Sequence, residues 1–193
     1  HDSRYVNTGG DTMTGTLTMA DARVGGDLNY TTAKTRYLNI PASAFVSTGG
    51  SDEQWRYSYY PYAYLYGTGT AYPYSVSAVA PVQLPQGARV TEFAAFYSDD
   101  HPVNGLVIQS TLQRQRLLNT SPDIGMAYVY ANVNVDSSSI YKESDEVINY
   151  PIINNESYQY QIQVDFENRG GVAGNSIRFY GARIEYTIDR VGN

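Results

Sequence analysis

Leu106-Val-Ile-Gln-Ser-Thr-Leu-Gln-Arg-Gln-Arg-Leu-Leu118 is the stretch on which the fold class turns, because its second half comes nearest to a helical segment. An amphipathic helix needs apolar residues at i, i+3, i+4 and i+7 along its length. Leu112 to Leu118 is a short polar run that instead continues the apolar strand pattern begun at Leu106. No other segment of helical length carries the stripe, so the chain reads as all-β.

Working outward, alternating runs recur at Tyr37-Leu-Asn-Ile40, Ala44-Phe-Val46, Tyr60 to Tyr66, Val90 to Tyr97, Met126 to Val135, Tyr158 to Phe166 and Ile177 to Ile188. Turn residues separate them: Gly67-Thr-Gly69, Pro85-Gln-Gly87, Asp99-Asp-His-Pro102, Pro122-Asp-Ile-Gly125, Asn154-Asn155 and Gly170-Gly171. Short strands with such breakers predict a β-sandwich or jelly roll whose loops gather at its ends. At 193 residues the chain holds one substantial domain and a small appendage.

A net charge of −6 and a pI near 4.8 argue against nucleic-acid binding, which needs a basic stripe. No apolar run reaches the roughly 20 residues that span a bilayer, so no membrane insertion is expected. The start lacks the basic-then-apolar order of a signal peptide, and the chain is expected to begin within a longer protein. With no Cys there are no disulfides, thiolate metal sites or Cys nucleophiles. The bias that stands out is 20 Tyr against 5 Phe and 1 Trp. Each buried phenol needs a partner, so this excess suits wet surfaces, through recognition or through β propensity.

The N-terminal Tyr5-Val-Asn-Thr-Gly-Gly-Asp-Thr-Met-Thr-Gly-Thr-Leu-Thr-Met19 joins a tight-turn cluster to a short alternating strand. Arg23-Val-Gly-Gly-Asp-Leu-Asn-Tyr30 repeats the turn-then-strand grammar. So few apolar residues cannot bury themselves within one chain, and packing against copies around an axis is the simplest remedy. Val6, Met13, Leu17, Met19, Val24 and Leu28 are the residues expected to do so. The first segment resembles the V-N-T-x-G-D-T-M-T-G-x-L-T repeat of bacteriophage tail fibres and related bacterial fibre proteins. That resemblance implies an elongated homotrimer at a cell or virion surface. The boundary falls near Lys34, giving a fibre collar over 1–34 and a tip domain over 35–193.

A second resemblance rests on Ala80-Pro-Val-Gln-Leu-Pro-Gln-Gly-Ala-Arg-Val-Thr91, Tyr97-Ser-Asp-Asp100, Ile153-Asn-Asn155 before Tyr158-Gln-Tyr160, and Gly181-Ala-Arg-Ile-Glu-Tyr-Thr-Ile188. These look like a β-sandwich domain found at the C-terminal end of bacterial extracellular and fibre proteins. The likeness implies a trimeric jelly roll broadly similar to the tumour-necrosis-factor and C1q heads. It brings no catalytic motif with it. This chain departs from the pattern at its Tyr-rich stretch, Trp55 to Tyr74.

That stretch is the sharpest candidate for a binding site. In an extended chain Tyr60, Tyr62, Tyr64 and Tyr66 point to one face. Sugars offer C–H faces that stack on rings and hydroxyls that need hydrogen-bond partners. A glycan site is therefore predicted from Trp55, Tyr57, Tyr59, Tyr60, Tyr62, Tyr64, Tyr66, Tyr72 and Tyr74, with Asp99, Asp100 and His101 in a nearby loop. The same rings would equally suit a trimer interface. Asp99-Asp-His-Pro102 and Glu143-Ser-Asp-Glu146 read as solvated loops, without the oxygen spacing of a calcium site, and no metal or cofactor is expected.

No G-x-S-x-G, H-E-x-x-H or phosphate loop accompanies His101, so the chain is not expected to be an enzyme. Two carboxylates alone could still serve a polysaccharide depolymerase. The expectation is a trimeric fibre tip that binds a cell-surface glycan without catalysis, with a purely structural trimerising cap as the alternative.

Overall fold

In the computed structural model, sequence alternation becomes a burial pattern. The structure describes residues 29–49, 53–57, 62–67, 74–99, 106–118, 124–131, 137–168 and 177–190. Among them are eleven strands: β1 (Asn29–Pro41), β2 (Val46–Gly49), β3 (Glu53–Tyr57), β4 (Ala63–Gly67), β5 (Tyr74–Val82), β6 (Arg89–Asp99), β7 (Leu106–Arg116), β8 (Ile124–Tyr130), β9 (Ser137–Asp145), β10 (Tyr158–Asn168) and β11 (Ile177–Arg190). Along β10, Tyr160, Ile162, Val164 and Phe166 are buried, and along β5 so are Val76, Ala78, Ala80 and Val82. One residue in two therefore points at a core.

The strands form two antiparallel sheets. One runs β3-β4-β11-β6-β9, with β1 also paired to β11; the other runs β2-β5-β10-β7-β8. Between β5 and β11 the chain passes repeatedly from one sheet to the other, so the core is assembled from residues distant in sequence. Phe93, Ala95 and Tyr97 of β6 and Phe179, Ala182 and Ile184 of β11 belong to the same buried cluster as the β5 and β10 residues and Ile108 and Leu112 of β7. Phe45, just before β2, meets Phe179 edge-on at 5.0 Å between centroids. Burying a side chain of that size contributes roughly 1.5–3 kcal/mol. The fold is the two-sheet all-β sandwich read from the sequence.

Leu106 to Arg116 is one strand, so the polar run after Leu112 does extend β7. The turn at Pro85 to Ala88 is closed by Ala88 N–H donating to the Pro85 carbonyl at 3.1 Å, with Gly87 at φ +75°. Three strands were not read from sequence: β3, β5 and β9. Glu143 and Asp145, expected in a loop, lie on β9, an edge strand paired with β6. The Asp145 carboxylate accepts the backbone N–H groups of Tyr128 (3.1 Å) and Val147 (2.8 Å), which gives it a structural use.

β1 passes through Lys34, where the boundary between collar and tip was expected, and its pairing with β11 is irregular between Asn29 and Lys34 and continuous from Lys34 to Pro41. Residues Val6, Met13, Leu17, Met19, Val24 and Leu28 lie outside the described residues. Among the described residues no helix is long and apolar enough to cross a membrane.

Candidate functional site

The outer face of the five-stranded sheet is built by the polar half of the same alternation. While Tyr160, Ile162 and Val164 turn inward, Gln159, Gln161, Gln163 and Asp165 turn outward. They pair in register with Gln115, Gln113, Thr111 and Gln109 of β7. Three rows of side chains therefore cross the sheet: Pro81, Gln161, Gln113 and Gly125; Val79, Gln163, Thr111 and Tyr128; Ser77, Asp165, Gln109 and Tyr130. Neighbours within a row stand about 4.8 Å apart and adjacent rows about 6.7 Å, distances that glutamine side chains can span.

They do. Gln161 donates to the Gln113 carbonyl oxygen at 3.1 Å, Gln113 donates to Gln163 at 3.4 Å, and Gln163 donates to both Asp165 oxygens at 2.8 and 3.0 Å. The Ser77 hydroxyl donates to the same carboxylate. Gln159 and Gln115 form a further pair, and Gln109 donates to Thr111 at 3.1 Å. A carboxamide carries two donors and an acceptor with two lone pairs, so this ladder fixes the amide orientations and leaves hydrogen-bonding capacity facing out. At its β8 side Tyr128 and Tyr130 are 43% and 54% exposed. The Tyr128 ring lies over Gly125, where a Cβ would collide with its hydroxyl.

One end of this face deepens into a groove of about 710 Å³, with Val79, Pro81, Gln159, Gln161 and Tyr158 among its lining residues. Its end wall is the turn after Ile153, which is pinned to the residues following β5. Asn155 N–H donates to Gln86 at 2.7 Å, and its side-chain amide donates to the Leu84 carbonyl at 2.9 Å. The buried Tyr160 hydroxyl accepts the Asn154 N–H at 2.8 Å. Burial raises the Tyr160 phenol pKa above its ordinary value, keeping it neutral as a fixed post beneath the turn.

Beside the groove, the Arg114 guanidinium stacks between two phenol rings, 3.6 Å from the Tyr150 centroid and 4.4 Å from that of Tyr158. Tyr150 holds a left-handed backbone, φ +52°, to present its ring there. A hydrogen bond from Arg116, with further attraction from Arg114, lowers the Tyr158 phenol pKa below its ordinary value.

Among the described residues, none of the sequence-predicted site residues lines this groove. Tyr62 and Tyr64 flank the buried Ala63 and so share the outer face of the other sheet. Their rings are 6.2 Å apart, and Tyr62 lies 5.5 Å from Tyr180 with the Arg178 guanidinium 5.0 Å from its centroid. Within the described residues β4 begins at Ala63, which pairs with Tyr57 of β3. Trp55 and Tyr57 are on β3, Tyr66 on β4 and Tyr74 on β5, while Tyr59, Tyr60 and Tyr72 lie outside the described residues.

Asp99 ends β6 opposite Ile177, and Asp100 and His101 lie outside the described residues. Register gathers the ends of β5 at Tyr74, β6 at Asp99 and β7 at Leu106 at one pole of the sandwich. Among the described residues no three His, Cys, Asp or Glu side chains gather as a metal site would need. The sequence signal for this face is Gln159-x-Gln-x-Gln163, which the sequence reading did not single out.

No family model matches the chain, and no curated protein matches it. Among solved structures it is similar to the C-terminal CBM6 module of LamC, a marine laminarinase from Zobellia galactanivorans, at 12% identity and a TM-score of 0.44 over 77% of this chain and 98% of that one. It is also similar to the xylan-binding module CBM15, at 9% identity and a TM-score of 0.43 over 82% of this chain and all of that one. A chain of the infectious bursal disease virus Gx strain overlaps it at 11% identity and 0.42, covering 93% of this chain and 37% of the other. Likeness of this degree, shared among binding modules and a virus protein, assigns this chain neither a ligand nor a family.

Proposed function

We propose that the domain binds a glycan without catalysis, as the tip of a homotrimeric surface fibre acting as an adhesin or receptor-binding protein. The observation that carries this is the ordered amide ladder running into a groove walled by Pro81, Val79 and Tyr158. Oriented amides suit sugar hydroxyls, and flat apolar side chains suit sugar C–H faces. Among the described residues the groove is lined by no carboxylate, whereas glycoside hydrolysis ordinarily uses two flanking the scissile bond. Joining three such sites raises the effective concentration for the second and third contacts.

A second reading, a structural trimerising cap, is favoured by the outer face of the other sheet. There Tyr37 is 55% exposed, and Tyr62, Tyr64, Phe96 and Tyr180 are half-buried. The two readings concern different faces and can both hold. A glycan array probed with the wild type and with a Gln113→Ala, Gln159→Ala, Gln161→Ala variant tests the first. The expected result is specific binding that the variant loses; binding that survives in a folded variant would overturn it.

A further inference from the structure

Resting on the reading of the groove as a glycan site, we propose that it selects acidic glycans, with the anionic group received at the Tyr158 end by Arg116 and Arg114. The chain carries −6 overall, yet among the described residues its groove lining has no acidic one. Two arginines lie against that lining, with guanidinium carbons 4.4 Å (Arg114) and 5.9 Å (Arg116) from the centroid of the lining residue Tyr158. Neither has a carboxylate partner among the described residues.

The contrast is with the other sheet, where Arg183 and Lys142 both meet Glu92. In an acidic protein, partners for cations are plentiful, yet among the described residues these two guanidiniums stand beside the groove with no carboxylate paired to them. Arg114 is held by rings, which orient the guanidinium without neutralising it. The Nε of Arg114 is buried with no hydrogen-bond partner, so its remaining nitrogens carry its polar capacity. Arg116 is exposed, with its guanidinium carbon 5.9 Å from the Tyr158 centroid, which sets a second group of donors at the groove's end. Guanidinium forks match the planar oxygens of carboxylates and the oxygens of phosphate-like groups.

The nearest acid along the chain is Glu156, on the turn that closes the groove. It is exposed, with its backbone N–H donating to the Asn154 side chain at 3.1 Å. At physiological salt the Debye length is about 8 Å. The remote negative charge of the domain is therefore screened at the groove, where, among the described residues, two arginines outnumber the one nearby acid, Glu156. A sugar chain lying along Gln159 and Gln161 would bring a ring substituent to them.

Titration calorimetry of the full chain with oligogalacturonate and with its methyl ester tests this, since the pair differs chiefly in charge. Dextran sulfate against dextran forms a second pair. At least one anionic probe is expected to bind about tenfold or more tighter than its neutral partner. The gap should narrow as salt rises and close in Arg116→Gln with unchanged melting temperature. Tighter binding of dextran sulfate alone identifies sulfate as the group read. Equal binding of charged and neutral partners, or a gap that persists in both Arg116→Gln and Arg114→Gln, overturns the acidic preference.

If the Gln113, Gln159 and Gln161 variant loses array binding while that preference is absent, the groove stands and the acidic preference alone falls. If no probe binds and the Gln variant retains its array binding, the groove reading falls and takes this inference with it.

Discussion

The Tyr97 hydroxyl on β6 lies 2.7 Å from the Ser110 hydroxyl on β7, and both residues are fully buried, so a hydrogen bond joins the two sheets through the core. Removing either partner strands the other in an apolar interior. Tyr97→Phe and Ser110→Ala should each lower stability by about 1–3 kcal/mol, and the double variant should cost less than the sum of the two. Urea midpoints for the four proteins check this; additive losses would show the bond to be incidental.

Burial drives the Tyr97 phenol pKa well above its ordinary value of 10.0, against the opposing bond from Ser110. Because the unfolded chain releases this proton first, the contribution is intact below pH about 10 and declines as pH rises beyond it. Tyr97→Phe removes that titration. Its melting temperature should fall less steeply than the wild type's between about pH 9.5 and 11, where the unfolded phenol, with its ordinary value of 10.0, gives up its proton. Parallel curves would refute the assignment.

Glu92 is 8% exposed on the outer face of β6, where it meets Lys142 and, at 3.2 Å, Arg183. Burial alone would raise its carboxyl pKa, but the bonds from Lys142, Arg183 and Ser144 outweigh that and hold it below 4.5. Its stabilisation is thus present above pH 4.5 and lost as pH falls through the lower folded value. Glu92→Gln should cost about 1–2 kcal/mol at neutral pH, since both cations remain partly solvated. Thermal melts should show the difference shrinking below pH 4; a constant difference down to pH 2 would count against the ion pairs.

Gly181 sits at the irregularity in β11 pairing with φ +142°, and a Cβ there would lie 2.5 Å from the Ile40 carbonyl oxygen and 3.1 Å from the Pro41 Cα. Both are backbone atoms of β1 and cannot swing aside. Gly181→Ala should destabilise by about 2 kcal/mol or more, with loss of amide protection concentrated in β1. Full protection of Ile40 and Ala182 in the variant would contradict the close approach.

The strands legible in the sequence were those with clean two-residue alternation. Val90 to Tyr97, Tyr158 to Phe166 and Ile177 to Ile188 all fall within β6, β10 and β11. β5 was hidden by its alanines and by Pro81, which argues against a central strand. The structure accommodates Pro81 beyond the last β2 pair, Val46 with Val79, where one edge of β5 has no neighbour. β9 was hidden because an edge strand needs few apolar residues, and Ser137-Ser-Ser-Ile-Tyr-Lys-Glu-Ser-Asp145 offers few.

The glutamines were visible but uninformative until β7 and β10 were in register. No local rule places Gln161 beside Gln113, or the turn at Asn155 against Leu84. The tyrosines drew attention by number, and only register shows Tyr62 and Tyr64 to share a face with Tyr180 on the sheet opposite the groove.

The pairing of β1 with β11 also sets how the domain would bear a mechanical load. Asn29 lies opposite Arg190, and the continuous register runs from Lys34 with Ile188 to Pro41 with Gly181. A pull on Asn29 directed along the strand, resisted at the opposite pole, shears that whole run at once. A pull separating Asn29 from Arg190 instead opens it one pair at a time. Single-molecule extension between Asn29 and Asp99 should therefore require a higher force than extension between Asn29 and Arg190. In such an arrangement β1 would act as a tether gripping along its full length, and tension along that axis would reach the sandwich without first peeling its edge.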